Sequence, residues 1–212
     1  MKAISILVAD DHPVVRRGIR ALLEPNVGWE IIAELSNGRD AVTKARERKP
    51  DIAILDIRMP LLNGLEAARQ IVKYSPSTRV LILSMYDSEE FIQKAVTSGA
   101  KGFVRKSEAE EELVAAIRAL LADKLFFPSG VLRMLRQERH ANVSTPHSSL
   151  TQRETELLQL IAEGHSNKRA ASILGISHRT VENHRARIMR KLGLRSATEL
   201  VRYAIRHKIV AA

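Results

Sequence analysis

The 212-residue sequence predicts an α/β domain with a doubly wound, five-stranded parallel sheet, followed by a small all-α domain of four helices. Short apolar runs alternate with helix-length segments up to residue 121, and only helical patterns follow residue 148. The formal net charge of +10 is also unequal, because residues 148–212 contain 12 lysines and arginines against 5 acidic residues. We therefore expect two domains of different chemistry.

The five apolar runs are short and rich in Ile, Val and Leu, which is typical of parallel strands that are buried on both faces. The predicted strands are residues 4–9, 29–35, 52–55, 80–84 and 102–104. Helix-length segments lie between and after them, near 13–23, 38–48, 64–74, 88–98 and 107–121. Ser107 with Glu110 predicts a capping box at the start of the fifth helix.

The alternating pattern ends after residue 121, and residues 136–149 are polar and contain Pro146. We divide the chain into a first domain at 1–121, a linker at 122–147 with a predicted helix at 129–138, and a second domain at 148–212. The second domain has one capping residue before each helical segment, namely Thr151, Ser166, Ser177 and Ser196. Glu154 and Glu199 complete predicted capping boxes, and glycines 164, 175 and 193 end the first three helices.

Composition excludes several classes of protein. The chain contains no cysteine, which excludes a disulfide scaffold, cysteine-ligated zinc and a thiolate nucleophile. No apolar run approaches the roughly 18 residues that a membrane span needs, so we expect a cytoplasmic protein without a membrane partner. The excess of basic residues in the second domain predicts a polyanionic partner, with nucleic acid the first candidate and an anionic membrane surface the second.

Five polar residues follow four of the predicted strands. Asp10 and Asp11 end the first strand, Asp56 the third and Ser84 the fourth, and Lys106 follows the fifth. Because ligands of doubly wound sheets bind at the carboxyl ends of strands, we expect these side chains to converge. Three carboxylates without a positive partner repel one another, and Mg²⁺ with its preference for oxygen ligands would resolve the repulsion. One carboxylate could then act as a nucleophile on a phosphoryl group.

Four motifs in the first predicted domain resemble the CheY-like receiver domain of two-component response regulators. They are VADDHP (8–13), DIRMPLLNG (56–64), LS (83–84) and GFVRK (102–106). The resemblance implies that Asp56 is the phosphoacceptor, that Ser84 is the hydroxyl switch and that Lys106 binds the phosphoryl group. Phe103 stands where the family often has a tyrosine switch, and it can change position without donating a hydrogen bond.

The resemblance also implies the ligands of the metal ion. Asp11, Asp56 and the backbone carbonyl of Arg58 would hold Mg²⁺, and Asp10 would help through a water molecule. Arg58 and Tyr86 stand at positions that tune the lifetime of the phosphoryl group, and a bulky pair there would hinder the attacking water.

The third helix of the second domain separates an apolar side from a basic one. Val181, Ile188 and Leu192 fall on the first side, and Arg179 and Arg187 fall on the other. A short helix, a turn and then this helix is the order of a helix-turn-helix, whose second helix enters the major groove of DNA.

Residues 150–194 resemble the LuxR-type output domain, and the two resemblances together point to the NarL/FixJ family of response regulators. They imply that Glu182, Asn183 and Ala186 meet base edges. Candidate phosphate contacts are Lys168, Arg169, Arg179, Thr180, Arg187 and Lys191. The last helix would pair two output domains on paired half-sites of double-stranded DNA.

These resemblances imply a transcription factor that is switched by phosphorylation and is not an enzyme. A sensor histidine kinase would donate the phosphoryl group to Asp56, and the phosphorylated chain would form a homodimer. Two other hypotheses for the function stay open at this point. One is a Mg²⁺-dependent phosphohydrolase with an aspartate nucleophile, and the other is a DNA-binding protein with a vestigial receiver.

Overall fold

The computed structural model describes residues 3–85, 88–131, 133 and 150–210. Contacts divide the chain into two compact units, Met1–Asn142 and Val143–Ala212. Tyr86, most of the predicted helix at 129–138 and the polar stretch at 136–149 lie outside the described residues.

The first unit is built on a five-stranded parallel sheet. Its strands are β1 (Ile4–Ala9), β2 (Trp29–Leu35), β3 (Ile52–Asp56), β4 (Arg79–Ser84) and β5 (Gly102–Arg105), in the order β2-β1-β3-β4-β5. All neighbouring strands are parallel, which confirms the predicted fold class. The strand order reverses between β1 and β3, which is where ligands bind in such sheets.

Five helices cover the two faces of this sheet. They are α1 (Pro13–Leu23), α2 (Gly38–Arg48), α3 (Gly64–Tyr74), α4 (Glu89–Thr97) and α5 (Ala109–Leu121). The helices α2, α3 and α4 bury residues in one apolar cluster, and α1 and α5 bury theirs in a second cluster. The continuous apolar strands predicted this two-sided burial.

The start of α5 differs from the prediction. Lys106–Glu108 forms a 3-10 helix, α5 begins only at Ala109, and the capping box between Ser107 and Glu110 does not form. The side chain of Lys106 points back to the carboxyl ends of the strands, where its ammonium lies 2.7 Å from Asp10 Oδ2. The chain therefore leaves β5 in a tight turn, and Ser107 is already inside that turn when the helix begins.

The chain after α5 packs on the edge of the sheet, although the sequence pattern placed the start of the linker there. We name residues 124–131 the edge segment. Phe126 pairs with β5, since the Phe103 N–H donates to the Phe126 carbonyl at 2.8 Å and the Phe126 N–H to that of Lys101 at 3.0 Å. Phe127 and Val131 are buried in the same apolar cluster as Phe103. The first unit therefore extends beyond α5.

In its described part the second unit contains four helices, α6 (Gln152–Ala162), α7 (Asn167–Leu174), α8 (His178–Leu192) and α9 (Ala197–Arg206). Each of the four predicted capping residues accepts a hydrogen bond from a backbone N–H in the first turn of its helix. The capping box at Thr151 is complete. The box predicted at Ser196 is not reciprocal, because the Glu199 carboxylate reaches the Arg195 N–H instead.

Buried leucine, isoleucine and valine side chains from α6, α8 and α9 form the core of this unit, among them Leu157, Leu160, Val181, Ile188 and Leu200. Gly175 and Gly193 end α7 and α8 with φ near +65°, a conformation that glycine adopts without strain. Among the described residues, no helix combines the length and the apolar character of a membrane span.

Candidate acidic site and nucleic-acid interface

The acidic residues predicted to converge do meet at the carboxyl ends of β1 and β3. Asp10 and Asp56 are 1% and 4% exposed, whereas Asp11 is exposed. One ligand atom from each of Asp10, Asp11, His12 and Asp56 lies within 4.8 Å of the others. The arrangement follows from the topology, because β1 and β3 are paired neighbours.

Lys106 lies between the two buried carboxylates. Its ammonium is 2.7 Å from Asp10 Oδ2 and 3.0 Å from Asp56 Oδ2, and its side chain is 7% exposed. The sequence predicted three carboxylates without a positive partner, and this part of the prediction was wrong. Lys106 offsets one of the three carboxylate charges, so the site still favours the binding of a further cation.

The site changes the proton affinity of Asp56 and Lys106. Burial is the main cause that raises the pKa of Asp56 to about 6; Lys106 opposes this shift, and the neighbouring Asp10 and Asp11 add to it. Burial alone would lower the pKa of Lys106, but its contacts with Asp10 and Asp56 outweigh burial, and the pKa of Lys106 is raised. At neutral pH Asp56 is therefore mostly ionised beside a charged lysine.

His12 lies beside the acidic site. It precedes Pro13 and is the N-cap residue of α1. Its ring Nδ1 also lies 2.7 Å from Asp11 Oδ1, and its N–H donates to Asp10 Oδ1 at 2.9 Å. Sequence spacing did not indicate this contact, because the ring turns back toward the carboxylates.

Gly64 packs against the backbone of Asp56, and no role is predicted for it from the sequence. A Cβ atom there would lie 1.8 Å from the backbone oxygen of Asp56, so a side chain would displace the strand end. The Gly64 N–H also donates to the Ile57 carbonyl at 2.8 Å. In the sequence, the position of Gly64 at the end of the motif DIRMPLLNG could have indicated this role.

The two predicted switch residues are both buried. Ser84 ends β4, the strand that pairs with β3, and it is fully buried. Phe103 on β5 is directed into the core, where the same apolar cluster contains Phe127 and Val131 of the edge segment. Arg58 is half-buried in the loop that follows β3.

The side chains of this pocket fit a hard divalent cation. Ligand atoms of three carboxylates lie within 4.8 Å of one another. Opposite oxygens around Mg²⁺, each at about 2.1 Å from the ion, are roughly 4 Å apart, so a small shift of the side chains would let them bind one ion. Such an ion binds through carboxylates and retains several waters.

In the second unit, α8 presents its polar residues to solvent. Arg179, Asn183, Ala186 and Arg187 are exposed, and Val181 and Ile188 on the opposite side are buried. The helix therefore has the two faces that the sequence predicted. Lys168 and Arg169 are also exposed, in the first turn of α7.

Three predicted interface residues have contacts within the domain. The Thr180 hydroxyl lies 2.8 Å from Ser177 Oγ, and Glu182 Oε1 lies 3.6 Å from His178 Nδ1. Lys191 has the strongest contact, because its ammonium donates to Glu154 Oε2 at 2.7 Å. Of the predicted phosphate contacts, Lys191 is the one with a buried acidic partner.

Comparisons with known proteins agree with this geometry. Residues 6–118 match the family model described as response regulator receiver domain, and residues 148–204 match bacterial regulatory proteins, luxR family. The chain is 38% identical over 215 residues to the oxygen regulatory protein NreC of Staphylococcus aureus, covering 98% of this chain and 99% of NreC.

Two further similarities span both units. A putative transcriptional regulator of Pseudomonas aeruginosa is 38% identical over 205 residues, covering 97% of this chain and 99% of that protein. A solved structure of two RcsB dimers bound to two parallel DNAs aligns with a TM-score of 0.57 at 26% identity, covering 95% of this chain and 98% of the RcsB chain.

Proposed function

The chain belongs to the NarL/FixJ family of two-component response regulators, and from this we propose that phosphorylation of Asp56 controls how its output domain binds DNA. Members of this family with a LuxR-type output domain are transcription regulators and not enzymes. The receiver lies in the first unit and includes the edge segment that packs on the sheet beyond residue 121. The output domain lies in the second unit, with its proposed start at residue 148.

The observation that carries the proposal is the position of Asp56 beside Lys106. An ionised Asp56 oxygen would attack the phosphorus of a donor, forming a phosphorus–oxygen bond while the bond from phosphorus to the donor breaks. The ammonium of Lys106, 3.0 Å from Asp56 Oδ2, would neutralise charge on the transferred oxygens. Asp10, Asp11, Asp56 and the Arg58 carbonyl would hold Mg²⁺, which supplies further positive charge for the phosphoryl oxygens.

The response to this new charge involves Ser84 and Phe103. The Ser84 hydroxyl at the end of β4 would hydrogen-bond a phosphoryl oxygen, and Phe103 would repack. Because Phe103 shares a cluster with Phe127, a change in its position reaches the edge segment that leads toward the output domain. The receiver would exist in a resting and an active conformation, and the phosphoryl group would shift the population toward the active one. The size of this shift is limited by how much more the phosphoryl group stabilises the active conformation than the resting one.

On DNA, α8 would enter the major groove and present Glu182, Asn183 and Ala186 to base edges. The proposed phosphate contacts are Lys168, Arg169, Arg179, Thr180 and Arg187. We also propose a sensor histidine kinase as the donor, a homodimer after phosphorylation and paired half-sites in the DNA, with the cytoplasm as the place of action. The RcsB dimers on DNA support this arrangement by similarity.

The test compares DNA binding by the intact chain with and without acetyl phosphate and Mg²⁺, on fragments selected from genomic DNA. We expect the phosphodonor to tighten binding about tenfold, within the usual range for coupling between two sites. Asp56→Asn should neither take up phosphate by intact mass spectrometry nor respond to the donor, whereas Asp123→Asn, at an exposed carboxylate, should behave as the wild type. Equal affinity of the wild type with and without donor would favour a vestigial receiver.

A further inference from the structure

The first turn of α6 contacts both helices of the helix-turn-helix. Glu154 is buried, with its side chain 3% exposed, and its Oε2 accepts the Thr151 N–H at 2.7 Å. The same oxygen accepts the ammonium of Lys191 at 2.7 Å, in the last turn of α8. Burial opposes ionisation of Glu154, but the hydrogen bonds from Lys191 and Thr151 outweigh it, so the pKa of Glu154 is lowered and Glu154 is charged at neutral pH.

The residue before Glu154 makes the matching contact with the other helix. Arg153 Nη2 donates to the carbonyl of Leu174 at 2.7 Å, at the end of α7 where helix carbonyls lack partners within the helix. Its Nη1 lies 2.6 Å from Glu156 Oε2, and the Glu156 side chain is 3% exposed. Arg153 therefore joins α6 to the turn between α7 and α8.

Lys191 cannot serve Glu154 and a DNA phosphate equally well. The Lys191 side chain is 33% exposed, but that of Glu154 is 3% exposed, so water cannot replace the ammonium around the carboxylate. Moving the ammonium to a phosphate would leave a buried charge without its partner, which is unfavourable. The exposed Arg187, one turn earlier on α8, meets no such cost.

We propose that Lys191 is a positioning residue, which fixes the recognition helix α8 against the start of α6 through Glu154, while Arg153 fixes the end of α7. The proposal rests on the proposed role of α8 in DNA binding. Because α6 contacts both α7 and α8, the angle between α7 and α8 is fixed. The base-reading residues Asn183 and Ala186 therefore keep a fixed position relative to the rest of the output domain. Lys191 then acts on specific DNA without touching a phosphate.

The experiment measures Kd of the full chain for a genomic fragment and for a random duplex over a salt series, with folding checked by circular dichroism. For Lys191→Met we expect specific Kd to rise about tenfold, comparable to the loss of one base contact, with random-duplex Kd and salt slope unchanged. The matched control Arg187→Met should weaken both duplexes and reduce the salt slope by about 0.9, the value for one phosphate. Lys191→Arg should retain wild-type affinity.

A second variant separates positioning from phosphate contact. Glu154→Gln removes the buried charge but leaves an oxygen for the Thr151 N–H, so adding it to Lys191→Met should restore most of the specific affinity. If Lys191→Met instead lowers the salt slope as much as Arg187→Met, and Glu154→Gln restores nothing, the positioning role is wrong.

The stability of the output domain provides a readout that does not depend on DNA. Lys191→Met should lower the midpoint of its thermal unfolding by about 5–10 °C, with partial recovery on adding Glu154→Gln. If the wild type binds no duplex but these shifts occur, the proposed function fails and the contact between α6 and α8 stands. If the shifts are absent, the positioning proposal fails whatever the DNA result.

Discussion

In the receiver three ionic groups of the site are buried and touch one another, whereas in the output domain most of the basic groups face solvent. Lys106 is wedged between Asp10 and Asp56, and Arg179 and Arg187 project from α8. The buried set has fixed partners, and the pKa values of Asp56 and Lys106 are shifted, which suits chemistry on one small group. The exposed set has lost little hydration, which suits attraction to a long polyanion that releases its counterions.

The largest test of this contrast removes one cation from each region. Lys106→Met leaves two buried carboxylates without their partner, and we expect the receiver to lose about 3–5 kcal/mol of stability at pH 8. Arg187→Met removes an exposed charge and should change stability by less than about 0.5 kcal/mol. Urea unfolding followed by the fluorescence of Trp29, the single tryptophan of the chain, measures the receiver, and far-ultraviolet circular dichroism of the same samples also follows the helical output domain. Equal losses in both variants would contradict the contrast.

The boundary between the regions can be sharpened at the edge segment. Phe127 is 6% exposed in the cluster that contains Phe103, so Phe127→Ala should destabilise the receiver by about 3 kcal/mol through lost apolar burial and a cavity. Hydrogen exchange measured by mass spectrometry should show faster exchange in receiver peptides and none of this change in α6 to α9. Leu125→Ala, at an exposed residue of the same segment, is the matched control. Unchanged receiver peptides would place residue 127 in the linker.

A pH titration tests the buried carboxylate itself. Because the pKa of Asp56 is raised from 3.8 to about 6, the folded receiver retains a proton that the unfolded chain releases between about pH 4 and 6. Stability therefore falls as pH rises through this window, by about 2–3 kcal/mol for this group. The measurement is the difference in unfolding free energy between wild type and Asp56→Asn at each pH. Mg²⁺ should offset the loss above pH 6, and a difference that does not vary with pH would contradict the raised pKa.

The strands and most helices could be predicted from sequence because apolar periodicity and capping residues act locally. The strands β3, β4 and β5 each differ from the prediction by one polar or charged residue at an end, since Asp56, Arg79 and Arg105 still pair in the sheet. The convergence of Asp10 and Asp56 followed from strand order alone.

The parts that could not be predicted depend on contacts between distant residues. The edge segment has too few residues for a periodic pattern, and it is placed by pairing with β5, which lies earlier in the chain. Lys191 falls on the border of the basic face of α8, and its partner Glu154 is 37 residues away. Helical spacing assigns a residue to a face but does not say which neighbour from another helix that face meets.

The smallest expected effect concerns an exposed carboxylate, the counterpart of Asp56 in the other region. Glu182 lies on the solvent side of α8, with 56% of its side chain exposed, and it contacts His178 at 3.6 Å.

Glu182→Gln removes a negative charge that repels phosphates, so affinity for random duplex should rise slightly. If Glu182 accepts a hydrogen bond from a cytosine amino group, the same change should cost about 1 kcal/mol of discrimination at one base pair. The stability of the output domain should not change, because an exposed carboxylate has no buried partner to lose. Selection of binding sites from random DNA by wild type and variant measures the effect, and an unchanged preference at every position would remove Glu182 from the base-reading set.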